Sequence, residues 1–230
     1  MIFSIIDSIL GRNLRIIKTL NKISPFRAVQ YDFLKKTDFE GNLLDFGGGD
    51  DALYRHYISG SSEGFSYQSI NIDPVIKPTW LVGVGEELPC KDENFDCVLS
   101  LNTLEHVFEA EMVINQLYRI LKKDGKLVLS TPFMFRIHGH PDDYFRPTPS
   151  WFQTVLSSAG FKDIKITRLW IGPFTSGECA SRQPGPAKVL RMRYAVIKDT
   201  LYHYIRCILR KENLAINQAS PLGLWVVARK

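Results

Sequence analysis

The run Leu43-Leu44-Asp45-Phe46-Gly47-Gly48-Gly49-Asp50-Asp51 constrains this chain more than any other segment. Its first four residues suit a buried strand. The three glycines that follow supply the tight turn by which a strand enters a helix, and they let a ligand approach the main chain closely. Short apolar runs recur downstream at Ser66–Ile72, Trp80–Val82, Phe95–Leu101, Lys126–Thr131, Lys162–Leu169 and Leu224–Arg229. Helical patterns alternate with them, at Pro25–Lys36, Asp51–Ser59, Leu104–Leu121 and Ser150–Ala159. Ser150 suits an N-cap, and Lys122-Lys123-Asp124-Gly125 suits the end of the helix before it. Such alternation is the mark of an α/β fold, a doubly wound and mostly parallel sheet joined by crossover helices.

At 230 residues, 45% hydrophobic and 23% charged, the chain has the balance of one globular domain and excludes wholesale disorder. No apolar run approaches the roughly 18 residues that cross a bilayer. Phe3 to Leu10 is interrupted by Asp7 and followed by no small-residue cleavage site, so a secretory signal is not expected. Cys90, Cys97, Cys179 and Cys207 form no C-x-x-C pair and read as reduced thiols of a cytoplasmic protein.

The net charge of +5 is unevenly placed. Residues 1–22 hold four Lys or Arg against one acid, and residues 182–212 hold eight against two, which leaves the remainder mildly acidic. A nucleic-acid binder therefore does not follow from the pI of about 9.0. Both basic segments are amphipathic. Ile2, Ile6, Ile9, Leu10, Ile16, Ile17 and Leu20 recur at helical spacing in the first. Leu190, Tyr194, Ile197, Leu201, Tyr204, Ile205 and Ile208 do so in the second. An apolar face beside Lys and Arg suits a helix lying on an anionic membrane surface, which makes peripheral contact through 1–22 and 188–211 one expectation. Burial of both stripes on the body is the commoner arrangement for such helices, and the plainer expectation.

Asp73 ends the second apolar run a little over twenty residues beyond the glycines, where an acid bonds the hydroxyls of a nucleoside ribose. The turn is not G-x-G-x-x-G, because Ala52 stands where its last glycine belongs. Asp50 and Asp51 would repel a diphosphate there, whereas a nucleoside with a cationic or zwitterionic tail would be accepted. That chemistry points away from NAD and towards S-adenosylmethionine.

With Asn71-Ile72-Asp73, Glu87-Leu88-Pro89, Asn94-Phe95-Asp96-Cys97-Val98, Leu104-Glu105-His106-Val107 and Leu121-Lys122-Lys123-Asp124-Gly125-Lys126 in order, residues 40–170 resemble the class I S-adenosylmethionine-dependent methyltransferases of the type 11 small-molecule group. The resemblance implies a Rossmann-like, seven-stranded sheet with an N-terminal helix and a helical insertion before the last strand. It implies one methyltransferase domain over 1–230, divided into an N-terminal helical segment (1–39), a cofactor-binding core (40–169), a basic helical insertion (170–222) and a last strand (223–230). It implies S-adenosyl-L-methionine as cofactor. Asp45, Gly47 and Gly49 would border its methionine end, Asp73 would hold its ribose, Gly85 and Glu86 would face its adenine, and Leu101 and Asn102 would line its sulfonium side. Two departures stand out: Asp51 replaces the last glycine of the family's G-x-G-x-G turn, and Val84-Gly85 replace the acid common before Glu-Leu-Pro.

The stretch from Thr131 to Thr148 is the densest run of functional side chains, and it follows a strand, so it belongs over the carboxyl edge of the sheet. Methyl transfer to oxygen needs in-line positioning and benefits from a base, for which His is tuned at neutral pH. His138 and His140 are the candidates, with Asp142 or Asp143 to orient an imidazole and Tyr144 and Arg146 to hold the substrate. The run is similar to the His-x-x-Pro-x-Asp-Tyr-x-Arg-x-Thr pattern of bacterial methyltransferases associated with surface polysaccharide and glycan assembly. That alignment implies His138 first and His140 second. Asp143 and Arg146 also suit a structural ion pair. A metal on His138, His140 and Asp142 is not expected, since magnesium, which some sugar methyltransferases use, prefers oxygen ligands. His106 reads as a helix-packing residue, and His56 and His203 as ordinary surface or packing residues.

The expected activity is methylation of an oxygen on a small-molecule or glycan-type acceptor. RNA methylation is the second enzymatic reading, opposed by the lack of an RNA-binding module or a stacking platform outside the apolar stripe. A catalytically inactive methyltransferase fold serving as a membrane-peripheral scaffold is the third.

Overall fold

The computed structural model describes residues 2–58, 60, 63–139, 141–181, 185, 187–210 and 219–230, leaving aside the side chains of 2–8, 208 and 210. His140 therefore lies outside the described residues, as do Arg182 and Lys211 and the side chains of Ile2, Ile6, Ile208 and Arg210. Contacts group the chain into two compact units. One comprises residues 31–131, 138–167 and 224–230, and the other comprises residues 1–30, 132–137 and 168–223.

The first unit carries the sheet. Seven strands, β1 (Asn42–Phe46), β2 (Ser66–Asn71), β3 (Trp80–Leu81), β4 (Phe95–Leu101), β5 (Leu121–Pro132), β6 (Lys162–Leu169) and β7 (Gly223–Arg229), lie in the order β3-β2-β1-β4-β5-β7-β6. The strands β3, β2, β1, β4 and β5 are mutually parallel, with Leu44 opposite Gln68 on one side and Val98 on the other. β7 runs against β5, joined near its end by the pairing of Lys230 with Gly125 and near its start by Ser130 Oγ donating to Leu224 O. The sheet is thus mixed and α/β, as the sequence leads one to expect.

Leu43, Leu44, Phe95, Val98 and Leu99 are fully buried, the reading of near-continuous apolar runs in strands covered on both faces. The helix α3 (Ala110–Ile120) turns Val113, Ile114, Leu117 and Ile120 into the same core, at three- and four-residue spacing. After β1 the chain crosses to β2 on one side, while β4 lies on the other. The carboxyl ends of β1 and β4 therefore flank the point where the winding reverses, where open sheets keep ligands.

Three local expectations are corrected. The helix expected over Asp51–Ser59 is a single 3-10 turn at Arg55–Tyr57, because the amides of Asp50 and Asp51 bond the carbonyls of Lys77 and Ile76 instead of opening a helix. The expected Leu104–Leu121 helix splits into a 3-10 turn (Leu104–His106) and α3, since the chain goes extended at Val107. Thr148, not Ser150, caps the helix α4 (Pro149–Ala159), its hydroxyl accepting from Trp151 N at 3.2 Å with proline in the first turn.

The second unit holds α1 (Ile2–Thr19), the first residues of α2 (Pro25–Leu34), α5 (Pro173–Ser181) and α6 (Lys188–Arg210). Here burial does not follow hydropathy. Along α6 the buried face is Met192, Ala195, Val196, Asp199, His203 and Cys207, whereas Leu190, Tyr194, Ile197, Leu201, Tyr204 and Ile205 are exposed. On α1, Asn13 and Ile16 are buried but Leu10 and Leu14 are exposed. The plainer expectation, that the apolar stripes pack inward, is overturned for α6. Among the described residues no helix is long and apolar enough to cross a membrane.

Candidate functional site

At the carboxyl edge of β1, β2 and β4 lies a cavity of about 740 Å³, counting its open mouth. Ile70, Ile72, Val82 and Val113 give it an apolar lining, and Gly47, Asn71, Glu86 and Asn102 stand among the groups that face it. A mostly apolar cleft with a few polar groups is the usual form of a small-molecule site.

The glycine turn forms one side. Gly47 has φ +92°, and a Cβ there would fall 1.9 Å from Thr103 Oγ1, so only glycine fits. The turn is pinned by Gly47 N donating to Ile70 O at 2.7 Å and by Asn71 Nδ2 donating to Gly47 O at 2.6 Å. Gly49 packs on the turn after β2, where a Cβ would meet Ile76 O at 2.2 Å. Across the cavity, Asn102 holds a left-handed φ of +57° and Thr103 Oγ1 donates to Phe46 O at 3.2 Å. A non-glycine residue in that region at the end of β4 marks a strained, over-determined position of the kind that clusters at ligand sites.

Of the residues singled out in sequence, Gly47, Gly85, Glu86 and Asn102 face the cavity. Glu86 folds back so that its carboxylate accepts from Gly83 N at 2.9 Å. Asp73 lies outside the cavity wall and caps the Pro74–Ile76 turn, accepting from Val75 N at 2.9 Å. Leu101 is buried in the sheet. Asp45 is fully buried beneath the glycine turn, where Tyr54 and Tyr67 donate to its two oxygens at 3.2 and 2.8 Å. Burial pushes its carboxyl up to about 7 against those two hydrogen bonds and the more distant Arg55.

The loop after β5 brings four of the expected residues together. Arg146 grips Asp143 bidentately, with Nη2 to Oδ2 at 2.7 Å and Nη1 to Oδ1. Asp143 Oδ2 also accepts from His138 N at 2.8 Å and stands 3.2 Å from His138 Nδ1. The Arg146 hydrogen bond is the main reason the Asp143 carboxyl falls to about 2. The His138 imidazole is held below the ordinary histidine range, chiefly by burial, with His106 and Arg146 adding to it and Asp143 opposing. With Nδ1 as the donor to Asp143, the neutral His138 ring carries its acceptor lone pair on Nε2. Tyr144 is exposed at 46%, donates to Asp142 Oδ2 at 3.2 Å and packs edge-on to Phe108.

Sequence reasoning missed His106. Its ring is T-shaped to that of His138 at 4.9 Å between centroids, it faces the cavity, and its Nδ1 bonds Asp142 O. The signal was its place two residues beyond Leu104, directly past the end of β4, which puts it over the carboxyl edge rather than inside a packed helix. Glu105, fully buried beside it, completes a trio with His106 and His138 whose ligand atoms lie within 4.8 Å of one another, a spacing that a divalent cation can span.

A family model described as a methyltransferase domain matches residues 16–166. In sequence, the chain is 27% identical over 93 residues to a Mycobacterium tuberculosis protein described as a probable S-adenosylmethionine-dependent methyltransferase; the match covers 38% of this chain. The chain spans 34% of the length of that curated relative. In fold, it is similar to an S-adenosylmethionine-dependent methyltransferase of Thermotoga maritima, with TM-score 0.56, 16% identity and coverage of 100% and 98% of the two chains. A second solved structure, from Archaeoglobus fulgidus, gives TM-score 0.52 at 15% identity over 90% and 92%.

Proposed function

The chain belongs to the methyltransferase-domain family, and on that premise we propose that it transfers a methyl group from S-adenosyl-L-methionine to an oxygen of a small-molecule or glycan-type acceptor. The observation that carries this reading is the juxtaposition of the apolar cavity at the winding reversal with the anchored pair His106 and His138. Bound there, S-adenosylmethionine supplies an electrophilic methyl group on a sulfonium, and the residues present fit it. Val82, Ile72 and Val113 offer a flat heterocycle an apolar bed, and among the described residues no lysine or arginine faces the cavity as a diphosphate would require.

The roles follow from the placement. Gly47 and Asn102 leave main chain open towards the methionine end, with Gly49 packed on the turn at Ile76 and Leu101 buried behind. Gly85 and Glu86 face the adenine. Asp73 accepts from the ribose hydroxyls while its Oδ1 caps the Pro74–Ile76 turn. Asp45 supports the turn from beneath and touches no ligand. His138 Nε2 takes the acceptor hydroxyl proton, Asp143 holds the imidazole by Nδ1, and Arg146 fixes Asp143. Tyr144, exposed on the same loop, contacts the acceptor. The acceptor is met in the cytoplasm at the inner face of a membrane, a reading supported by the basic amphipathic segments 1–22 and 188–211.

The test is calorimetric titration of the protein with S-adenosylmethionine and S-adenosylhomocysteine, with Asp73→Ala as the control. Micromolar binding that weakens at least tenfold in the variant is expected. No binding to folded protein overturns the enzymatic reading and leaves a scaffold. Transfer of a labelled methyl group to hydroxyl acceptors, run with and without EDTA, then separates a histidine base from a cation on Glu105, His106 and His138.

A further inference from the structure

The helix α6 is turned inside out, and the cause is visible. Its buried Asp199 accepts from Phe174 N at 3.0 Å and Thr175 N at 2.7 Å, capping the head of α5. One turn on, buried His203 donates from Nε2 to Ile171 O at 3.0 Å. Asn13 Nδ2 donates to Thr200 Oγ1 at 2.9 Å and fixes α1 against the same face. These polar anchors set the rotation of α6, and 3.6 residues per turn then drive its apolar stripe outward.

The result is a continuous exposed surface. Tyr194, Ile197, Leu201, Ile205 and Leu209 run exposed along α6, and Ile197 and Leu201 line a groove with Leu10 and Leu14 of α1, of about 1270 Å³ counting its open mouth. Monomeric proteins rarely leave contiguous apolar surface of this kind without a partner. Cations border it. On the helical wheel Arg191, paired with Glu178, and Lys198 flank one edge of the α6 stripe and Arg193 the other, and α1 adds Lys18. Among the described side chains of α1 and α6 the one acid is Asp199, which is buried.

We infer that the α1–α6 face seats this protein on an anionic phospholipid bilayer, with the apolar stripe at the acyl boundary and the cationic edges at the headgroups. The inference deepens the functional reading above by naming the surface and the chemistry it meets, but vesicle binding needs neither cofactor nor acceptor. Charge selects the occupant. A second copy of this chain would set one cationic border against another, with the neighbouring Glu178 already engaged by Arg191. RNA would use the cations and leave the leucines and isoleucines in water. A bilayer satisfies both, and Tyr194 and Tyr204 have the amphipathic rings favoured at headgroup level.

The experiment is co-sedimentation of the full chain with phosphatidylcholine vesicles and with vesicles holding about a third phosphatidylglycerol. Binding at least tenfold stronger to the anionic vesicles is expected, weakened by raised salt. Leu201→Glu and Ile205→Glu, at exposed positions and verified as folded by circular dichroism, should each lower vesicle binding about tenfold. Turnover on a soluble acceptor should be unchanged in both. Lys198→Glu should lower binding to the anionic vesicles only. Equal partition to both vesicle types, no partition at all, a dimer that Leu201→Glu dissolves, or RNA binding indifferent to Leu201→Glu would each overturn the inference. Loss of methyl transfer with vesicle binding intact would instead sink the enzymatic reading alone.

Discussion

Two carboxylates in the sheet-bearing unit end in opposite states. Asp45, beneath the glycine turn, is 0% exposed, and the Asp143 side chain, in the loop after β5, is 3% exposed. Asp45 is pushed up to about 7 and Asp143 falls to about 2. The difference lies in the depth of burial and in the partners. Asp143 has a guanidinium in bidentate contact and a main-chain amide, while Asp45 has only two phenol hydroxyls in contact and an arginine farther off. Burial alone favours the neutral acid, and a charge-assisted pair reverses that. The carboxylate that stays charged lies beside the His138 imidazole, and the one raised by burial lies beneath the glycine turn.

The largest way to break this contrast is Arg146→Ala. It strands Asp143, and unfolding in urea at pH 7 should show a loss of about 3 kcal/mol. Turnover should fall about 100-fold, because the orienting group for His138 is released. Cofactor affinity should stay within threefold, since neither residue faces the cavity. The Asp143 carboxyl is lower in the folded protein than in the unfolded chain, so its contribution is complete above its ordinary value near 3.8 and disappears as the pH falls through about 2. The deficit of the variant should therefore shrink at pH 3 relative to pH 7.

Asp45→Asn probes the other side with the opposite sign. A carboxyl raised to about 7 contributes stability that is complete below 3.8 and lost as the pH climbs through 7. The variant should match the parent at pH 4 and exceed it by about 2 kcal/mol at pH 8, read from urea midpoints at both values. Parallel curves across that range would show that the phenols already hold Asp45 ionised.

A smaller effect concerns the base. His138 sits below the ordinary histidine range, so the acid limb of kcat/KM should lie under pH 6.5. Asp143 opposes that depression, so Asp143→Asn should move the limb further down in pH as well as lowering the plateau. A limb that does not move assigns the proton to another group, with His106 the nearest candidate.

The strands and their order of use were legible because a buried parallel sheet demands continuous apolar runs, and Leu43–Phe46 and Phe95–Leu101 supply them. Gly47 and Asn102 could be placed because they end those strands at the winding reversal. The Asp45 cage was not legible: nothing in the spacing of Asp45, Tyr54 and Tyr67 announces that two phenols meet one carboxylate. His106 was misread because a long helix was drawn through Val107, where the chain goes extended. The outward stripe of α6 was legible as periodicity but not as direction. Hydropathy gives two faces, and the choice between them was made by Asp199, His203 and Asn13, whose partners are distant in sequence.

The mildest change sharpens the contrast within the Asp45 cage itself. Tyr67 holds Oδ2 at 2.8 Å and Tyr54 holds Oδ1 at 3.2 Å, so the shorter bond should carry more of what ionisation Asp45 retains. Tyr67→Phe removes one donor while leaving an aromatic ring for Arg55, which lies 3.7 Å above its centroid. With one donor gone, Asp45 should rise further, and stability at pH 8 should drop by about 1 kcal/mol, the usual net worth of a buried hydrogen bond. At pH 5 the loss should be smaller, because a protonated carboxyl needs fewer donors. Tyr54→Phe should follow the same pattern with a smaller amplitude, measured by urea unfolding at the two pH values. If the two phenol deletions prove equal, the 0.4 Å between their bonds has no energetic weight.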